Sequence, residues 1–279
     1  MRKTILAASL TAAAFAFPSL AAAQAAAAPA SPHTLTGNLG IYSSYRFRGI
    51  DQTFGQPALQ GGIDYSHSSG FYLGNWDSNV NQGAGYPGGN LEMDFYGGWK
   101  NTWGDWGLDL GAIYYYYPGT NSNAGPFGVF NNRTGANLNG RVDNTEIYIG
   151  GSWKWLSLKY SHATSDYFGV PSTSGSHYLD LGATYDLGGG WGVNGHVGHL
   201  KLKSVINGDY TDWKIGVTKD IGGWVFGASY IATNAKGNCS AAFQPYCFSN
   251  GNVNSTLTAF DKVKDAGRNT VVVSVSKTF

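Results

Sequence analysis

The chain has 279 residues, a formal net charge of +1 and only 13% charged residues, which excludes an electrostatic nucleic-acid binder. Its 41 glycines, 18 tyrosines and 9 tryptophans argue against a helical bundle, because glycine is among the poorest helix formers. The 42% hydrophobic share, set out in clear alternation, argues against a disordered chain.

The first residues read as an export signal. Arg2 and Lys3 precede an apolar run over 4–17, and Ala21-Ala22-Ala23 offers a small-residue cleavage site before Gln24. The rival reading, an uncleaved membrane anchor, is weakened by Ser9, Thr11 and Pro18. We therefore expect a signal peptide over 1–23, a flexible leader over 24–33 and a single domain over 34–279. Loss of Arg2 and Lys3 takes the formal charge from +1 to about −1. No later stretch has the apolar length of a membrane-spanning helix.

From residue 34 onward, alternating segments follow one another. They cover 34–47, 56–66, 71–79, 90–101, 105–117, 142–153, 155–164, 176–187, 190–203, 210–220, 223–233 and 269–279. In 105–117 one face carries Trp106, Leu108, Leu110, Ala112, Tyr114 and Tyr116, and the other begins Asp105, Gly107, Asp109, Gly111. Such period-two patterning is that of a strand with one apolar and one polar face. The joins alternate in length. Those at 67–70, 102–104, 154, 188–189 and 221–222 are tight, whereas 48–55, 80–89, 118–141, 165–175, 204–209 and 234–268 are longer and polar. Every long join then falls at one end, as in a bacterial outer-membrane barrel with short periplasmic turns.

The expected fold is therefore all-β: a transmembrane antiparallel up-and-down barrel of about twelve strands, ten or fourteen being the alternatives, with both termini periplasmic. Segments 71–79 and 190–203 alternate least regularly. Open edges cannot persist in hydrocarbon, so the first strand must pair with the last. Trp99, Trp103, Trp106, Trp153, Trp155, Trp191 and Trp224 gather at the short turns and predict one aromatic girdle, and Tyr45, Tyr114, Tyr116, Tyr160 and Tyr230 predict a second at the other end.

The last segment sets Val271, Val273, Val275 and Phe279 on one face. It resembles the carboxy-terminal signal of outer-membrane barrels that their assembly machinery reads, although Lys277 stands where an apolar or aromatic residue is more usual. The partners expected are thus outer-membrane lipids, the assembly machinery through the strand ending at Phe279, and a small polar solute or ion, with no nucleic acid.

The inward face carries the candidate pore-lining charges Arg46, Arg48, Glu92, Asp94, Glu146, Lys159, Asp180, Asp212 and Lys214, together with Asp64, Lys100, Asp109 and Asp186. Eight are acidic and five basic. Strand order places Arg46 and Arg48 across the bore from Glu146, a field suited to selecting polar solutes. Because a barrel of this size is narrow, the same charges could instead pair and fill it. An open or gated pore and a filled lumen both stand, as do passive diffusion and a closed barrel that acts through its long loops.

Cys239 and Cys247 share the 234–268 connection and, in an exported chain, are expected to form a disulfide rather than a metal site. No cofactor or metal is expected. His162 with Ser165 and His177 with Ser176 lie in no recognisable hydrolase motif, so no catalytic residue is assigned.

Residues 42–79 carry Tyr42, Ser43, Tyr45, Arg46, Arg48, Gly49, Pro57, Ala58, Gly61, Tyr65, Gly70, Tyr72, Gly74, Trp76, Ser78 and Asn79, and the pattern continues through Glu92, Asp94, Tyr96 and Gly98. This stretch resembles the opening strands of the TorF family of porin-like proteins. Beyond about residue 120 the similarity is one of pattern rather than motif. The resemblance implies a Gram-negative outer-membrane barrel and supplies no solute.

Overall fold

The computed structural model describes residues 31–120, 142–253 and 260–279. The expected signal peptide, the leader up to residue 30 and nearly all of the 118–141 connection lie outside the described residues.

In chain order the strands are β1 (His33–Tyr42), β2 (Arg46–Phe47), β3 (Ile50–Asp51), β4 (Ala58–His67), β5 (Phe71–Asn79), β6 (Leu91–Trp103), β7 (Trp106–Tyr116) and β8 (Asp143–Trp153). They continue as β9 (Leu156–Ala163), β10 (His177–Gly188), β11 (Trp191–Lys201), β12 (Tyr210–Ile221), β13 (Trp224–Thr233), β14 (Cys247–Val253), β15 (Phe260–Asp265) and β16 (Thr270–Thr278). Twelve of them form one closed antiparallel barrel, in which β1 pairs with β4 on one side and with β16 on the other. These twelve are the twelve alternating segments of the sequence. The closing seam sets Asn38 opposite Thr278 and Tyr42 opposite Ser274. At the short-turn end, Gly37 and Phe279 exchange backbone hydrogen bonds of 3.2 and 2.8 Å.

The four residues Gln56–Ala58 and Ser43 bracket the main departure from expectation. Alternation extends the first segment to residue 47, but the wall strand ends at Tyr42. After Ser43, whose amide still donates to the Val273 carbonyl at 2.9 Å, the chain turns away from the wall and forms the separate β2–β3 hairpin. Arg48 and Gly49 form its tip with φ of 47° and 79°, the two positive values that a tight primed hairpin turn needs. A second hairpin, β14–β15, lies in the 234–268 connection, and Cys239 and Cys247 are joined by the expected disulfide.

Side-chain alternation sorts the wall cleanly. Leu35, Ile63, Leu73, Ile215 and Val271 stand outward, each more than half exposed. Burying such side chains against hydrocarbon is worth roughly 1.5–3 kcal/mol each, and a continuous band of them around a wall is the surface of a barrel in lipid. Trp103, Trp106, Trp153, Trp155, Trp191 and Trp224 are all exposed beside the short turns. Trp106 is register partner to both Trp103 and Trp153, and its ring lies 6.0 Å from that of Trp153. Towards the long-loop end, Tyr160 and Tyr230 are exposed, and Tyr114 stacks on Tyr116 at 6.0 Å. Tyr45, expected in that upper girdle, is instead buried against Trp76 with ring centroids 5.4 Å apart. It left the wall with the β2–β3 segment.

A charge on the outward face tests this sorting. Ile149→Arg at mid-wall is expected to lower the free energy of unfolding from lipid vesicles by about 2–4 kcal/mol. Thr218→Arg on the inward face is expected to change it by under about 1 kcal/mol. Equilibrium denaturant unfolding followed by tryptophan emission measures both.

A closed polar bore at the long-loop end

Long-loop ends of the wall strands present acids and phenols inward. On β6 these are Glu92 and Asp94, on β8 Asn144 and Glu146, on β10 Tyr178 and Asp180, and on β12 Tyr210 and Asp212, all buried. Each pair has an i, i+2 spacing, which sets both members on one face of its strand. A carboxylate in such a place needs compensating partners, since an isolated buried charge is strongly disfavoured.

For Glu146 the compensation comes from the β2–β3 hairpin, which reaches into the bore. Arg48 donates from Nη1 to Oε1 of Glu146 at 2.9 Å and from Nη2 to Oε2 at 2.7 Å, a bidentate pair with both side chains about 2% exposed. Two parallel charge-assisted bonds fix direction as well as distance. Its Nη1 also donates to the Tyr167 hydroxyl at 3.0 Å. The guanidinium lies 4.4 Å from the Tyr178 ring centroid and 4.8 Å from that of Phe47. Glu146 is further held by Nδ2 of Asn144 at 3.1 Å. Tyr210 donates to the Arg48 carbonyl at 2.9 Å. A Cβ at Gly49 would collide with Thr233 Cγ2 and meet Asp212 Cβ at 2.8 Å, so the tip sits flush against β12 and β13.

Around this pair the loops build an interior of their own. Phe47, Ile50, Tyr86, Tyr117, Tyr167, Leu202, Tyr246 and Phe248 belong to one buried cluster. Tyr117 donates to Glu92 at 2.7 Å and stacks on Tyr86 at 4.4 Å. Arg46 does not face Glu146. It donates to the carbonyls of Ala266 and Arg268 at 3.0 and 3.2 Å and lies 3.6 Å from Asp51. Lys264 approaches Asp51 at 3.4 Å. Burial lowers the pKa of the Lys264 ammonium from its ordinary value, and the Asp51 carboxylate counters that shift. The hairpin is thus clamped on one side by the wall and on the other by the 234–268 connection.

Residues 26–279 match the family described as a bacterial protein of unknown function, Gcw_chp. The chain belongs to the Gcw_chp family. No curated protein matches it. Among solved structures it is similar to the KdgM porin, at 9% identity and a TM-score of 0.48 over 88% of this chain and 99% of that one. The NanC porin gives the same four figures, 9%, 0.48, 88% and 99%. The outer-membrane protein OmpT of Vibrio cholerae, in its trimer form, matches at 10% identity and a TM-score of 0.39, over 88% of this chain and 99% of that one. At this level of likeness the comparison adds nothing to what the strand pairing already establishes.

In this Gcw_chp barrel the short-turn half of the bore is also polar, but among the described residues its groups come from the wall alone. Tyr72 donates to Asp109 at 2.7 Å and lies 2.5 Å from the Tyr148 hydroxyl, and Tyr96 donates to Asp64 at 2.5 Å. Lys159 lies 3.8 Å over the Tyr148 ring. Between the two halves runs a row of three groups: His196 Nδ1 is 3.0 Å from Asp180, and its Nε2 is 3.6 Å from Asp212. Lys214 is the register partner of His196 on β12.

Of the charges singled out in the sequence, Glu92, Asp94, Glu146, Lys159, Asp180, Asp212 and Lys214 therefore lie on the inward face of wall strands, while Arg46 and Arg48 belong to the inserted hairpin. Sequence reasoning missed the phenols Tyr115, Tyr117, Tyr167 and Tyr178, Asn144, and His196. The signal for two of them, Asn144 and Tyr178, was present as an i, i+2 partner of an inward acid. Ser165 and Ser176 serve turns: Ser165 accepts from the Thr145 amide at 2.9 Å, and Ser176 donates to the Thr173 carbonyl at 2.6 Å.

Removing one partner of the buried pair leaves the other uncompensated. Glu146→Ala is expected to cost about 3–5 kcal/mol of stability, and the Arg48→Met, Glu146→Ala double variant markedly less than the sum of its single changes. Denaturant unfolding of the four proteins completes the cycle.

Proposed function

We propose that the protein is an outer-membrane channel for small polar solutes or ions, at rest with its long-loop end closed by the Arg48 hairpin. One observation carries this reading. The wall presents polar and charged side chains inward along its whole height, from Asp109 and Lys159 to Glu146, whereas the closure is made by loop segments rather than by wall strands.

The apolar outward band and the tryptophan girdle support insertion in a bilayer. On this reading the long loops face outward from the cell, both termini are periplasmic, residues 1–23 direct export, and the strand ending at Phe279 is what the assembly machinery engages. The resemblance of residues 42–98 to the TorF family points the same way. The inward charges Glu92, Asp94, Glu146, Asp180 and Asp212 give the bore an acidic bias and hence a weak preference for cations. A second reading, a closed barrel acting through its outer loops, is favoured by the buried cluster around Phe47 and Tyr246.

Single-channel recording in planar bilayers separates them. The parent protein is expected to show rare openings, and Arg48→Ala is expected to raise the open probability at least about tenfold, the factor that some 1.4 kcal/mol of lost closure would give. Asp94→Asn in that background is expected to move the reversal potential in a salt gradient towards zero. Absence of stepwise current from both proteins, each folded and inserted, would reject the channel in favour of the closed barrel.

A further inference from the structure

We infer that the outer wall of β9–β11 holds the phosphorylated headgroup of a membrane lipid at its long-loop end. The inference rests on the membrane reading above and concerns the opposite face of the wall from the bore. Outward positions can be followed along each strand in steps of two. On β9, exposed Leu158 and Tyr160 lead to His162. On β10, His177 precedes exposed Leu179 and Leu181. On β11, exposed Val197 leads to His199 and Lys201, and Lys203 follows just beyond the strand. Apolar side chains thus give way to imidazoles and ammonium groups at one height on three adjacent strands.

These groups are close to one another. His177 is the register partner of both His162 and Lys201. The Tyr160 ring lies 6.2 Å from the His162 ring and 5.5 Å from the His177 ring. A carbon at the Cβ position of Gly175 would stand 3.2 Å from Lys203 Nζ and 3.8 Å from His162 Cε1, so ammonium and imidazole close around one point. Nδ1 of His162 meets the Tyr160 hydroxyl at 3.2 Å, and Nδ1 of His177 lies 3.4 Å from the Gly175 carbonyl. Nε2 of each has no hydrogen-bond partner among the described residues. Lys203 donates to the Ser174 carbonyl at 2.8 Å, which occupies one of its three protons.

Nearby acids are already engaged. Asp209 pairs with Lys201 at 2.5 Å, Asp166 accepts the amides of Thr173 and Ser174 at 3.0 and 3.1 Å, and Asp143 accepts from Tyr114 at 3.1 Å. Elsewhere around the wall the chemistry differs. Asn75, Asp77 and Asn79 stand at outward positions of β5, with no cation among them. A phosphate monoester suits the β9–β11 patch because its oxygens take several charge-assisted bonds, while its acyl chains would lie along Leu158, Leu179 and Val197 below. That pairing of a lysine-and-imidazole rim with an apolar band suits an anionic lipid at a membrane surface.

The test uses the full mature chain refolded in neutral detergent and native mass spectrometry with diphosphorylated lipid A, the same lipid dephosphorylated, and inorganic phosphate. The phosphorylated lipid is expected to be retained about tenfold or more over the dephosphorylated one, and the His162→Ala, Lys203→Ala variant to lose that preference; each charge-assisted bond of roughly 1.5–3 kcal/mol corresponds to tenfold or more. Lys203→Glu alone, at an exposed position, is expected to reduce retention in the same direction, and Asp77→Asn to leave it unchanged. Equal retention of the two lipids, undiminished retention by both patch variants, or full displacement by inorganic phosphate at the lipid's own concentration would overturn the proposal. Unaltered migration on gels with and without boiling would instead show that the barrel reading had failed, and so distinguishes the two.

Discussion

Closure of the sheet is the constraint from which the other features follow. A strand pair at an open edge leaves a row of N–H and C=O groups without partners, and in hydrocarbon each costs several kcal/mol. Pairing of β1 with β16 removes the edge. Closure in turn divides every side chain into one that meets the surroundings and one that meets the bore. The outward set is then free to be apolar without limit, whereas the inward set has to settle its charges within a narrow space.

That second demand explains the hairpin. Acids on four wall strands converge at the long-loop end, where they have little access to water. The wall's own cations, Lys159 and Lys214, stand beside Asp180 and Asp212, as cross-strand partner and as i, i+2 neighbour. Arg48 instead arrives on a two-residue turn, with its backbone carbonyl held by Tyr210 and its guanidinium packed among aromatic rings. Desolvation of such a pair is costly, and bidentate geometry with further hydrogen bonds is what offsets it. The result is a stopper specified by one direction of approach, which a flexible lysine would not provide.

A plug made this way differs in kind from the wall. Its elements are short, its contacts with β12 and β13 are those of a single turn, and its far side leans on the 234–268 connection through the Asp51 amide and the Arg46 guanidinium, both donating to the Ala266 carbonyl. The disulfide between Cys239 and Cys247 ties that connection locally. Wall and plug can therefore respond independently to a perturbation, since the barrel's backbone bonding does not pass through the hairpin.

Strand number, strand order, the direction each side chain faces and the height of the tryptophans were all legible in the amino-acid sequence, because each follows from a period of two and from the length of the next join. Leu158 and Leu179 could only be outward if Lys159 and Asp180 were inward. What alternation could not reveal was where the chain stops obeying it. Tyr45, Arg46 and Phe47 continue the rhythm of the first strand in print, yet the backbone leaves the wall after Ser43. Strand order sets Arg48 and Glu146 on opposite sides of the bore, but their contact, across 98 positions, depends on a turn that brings both to the same point in space. Local pattern fixes which face a residue occupies; the meeting of distant faces is a property of the closed barrel and its inserted loops, and no periodicity encodes it.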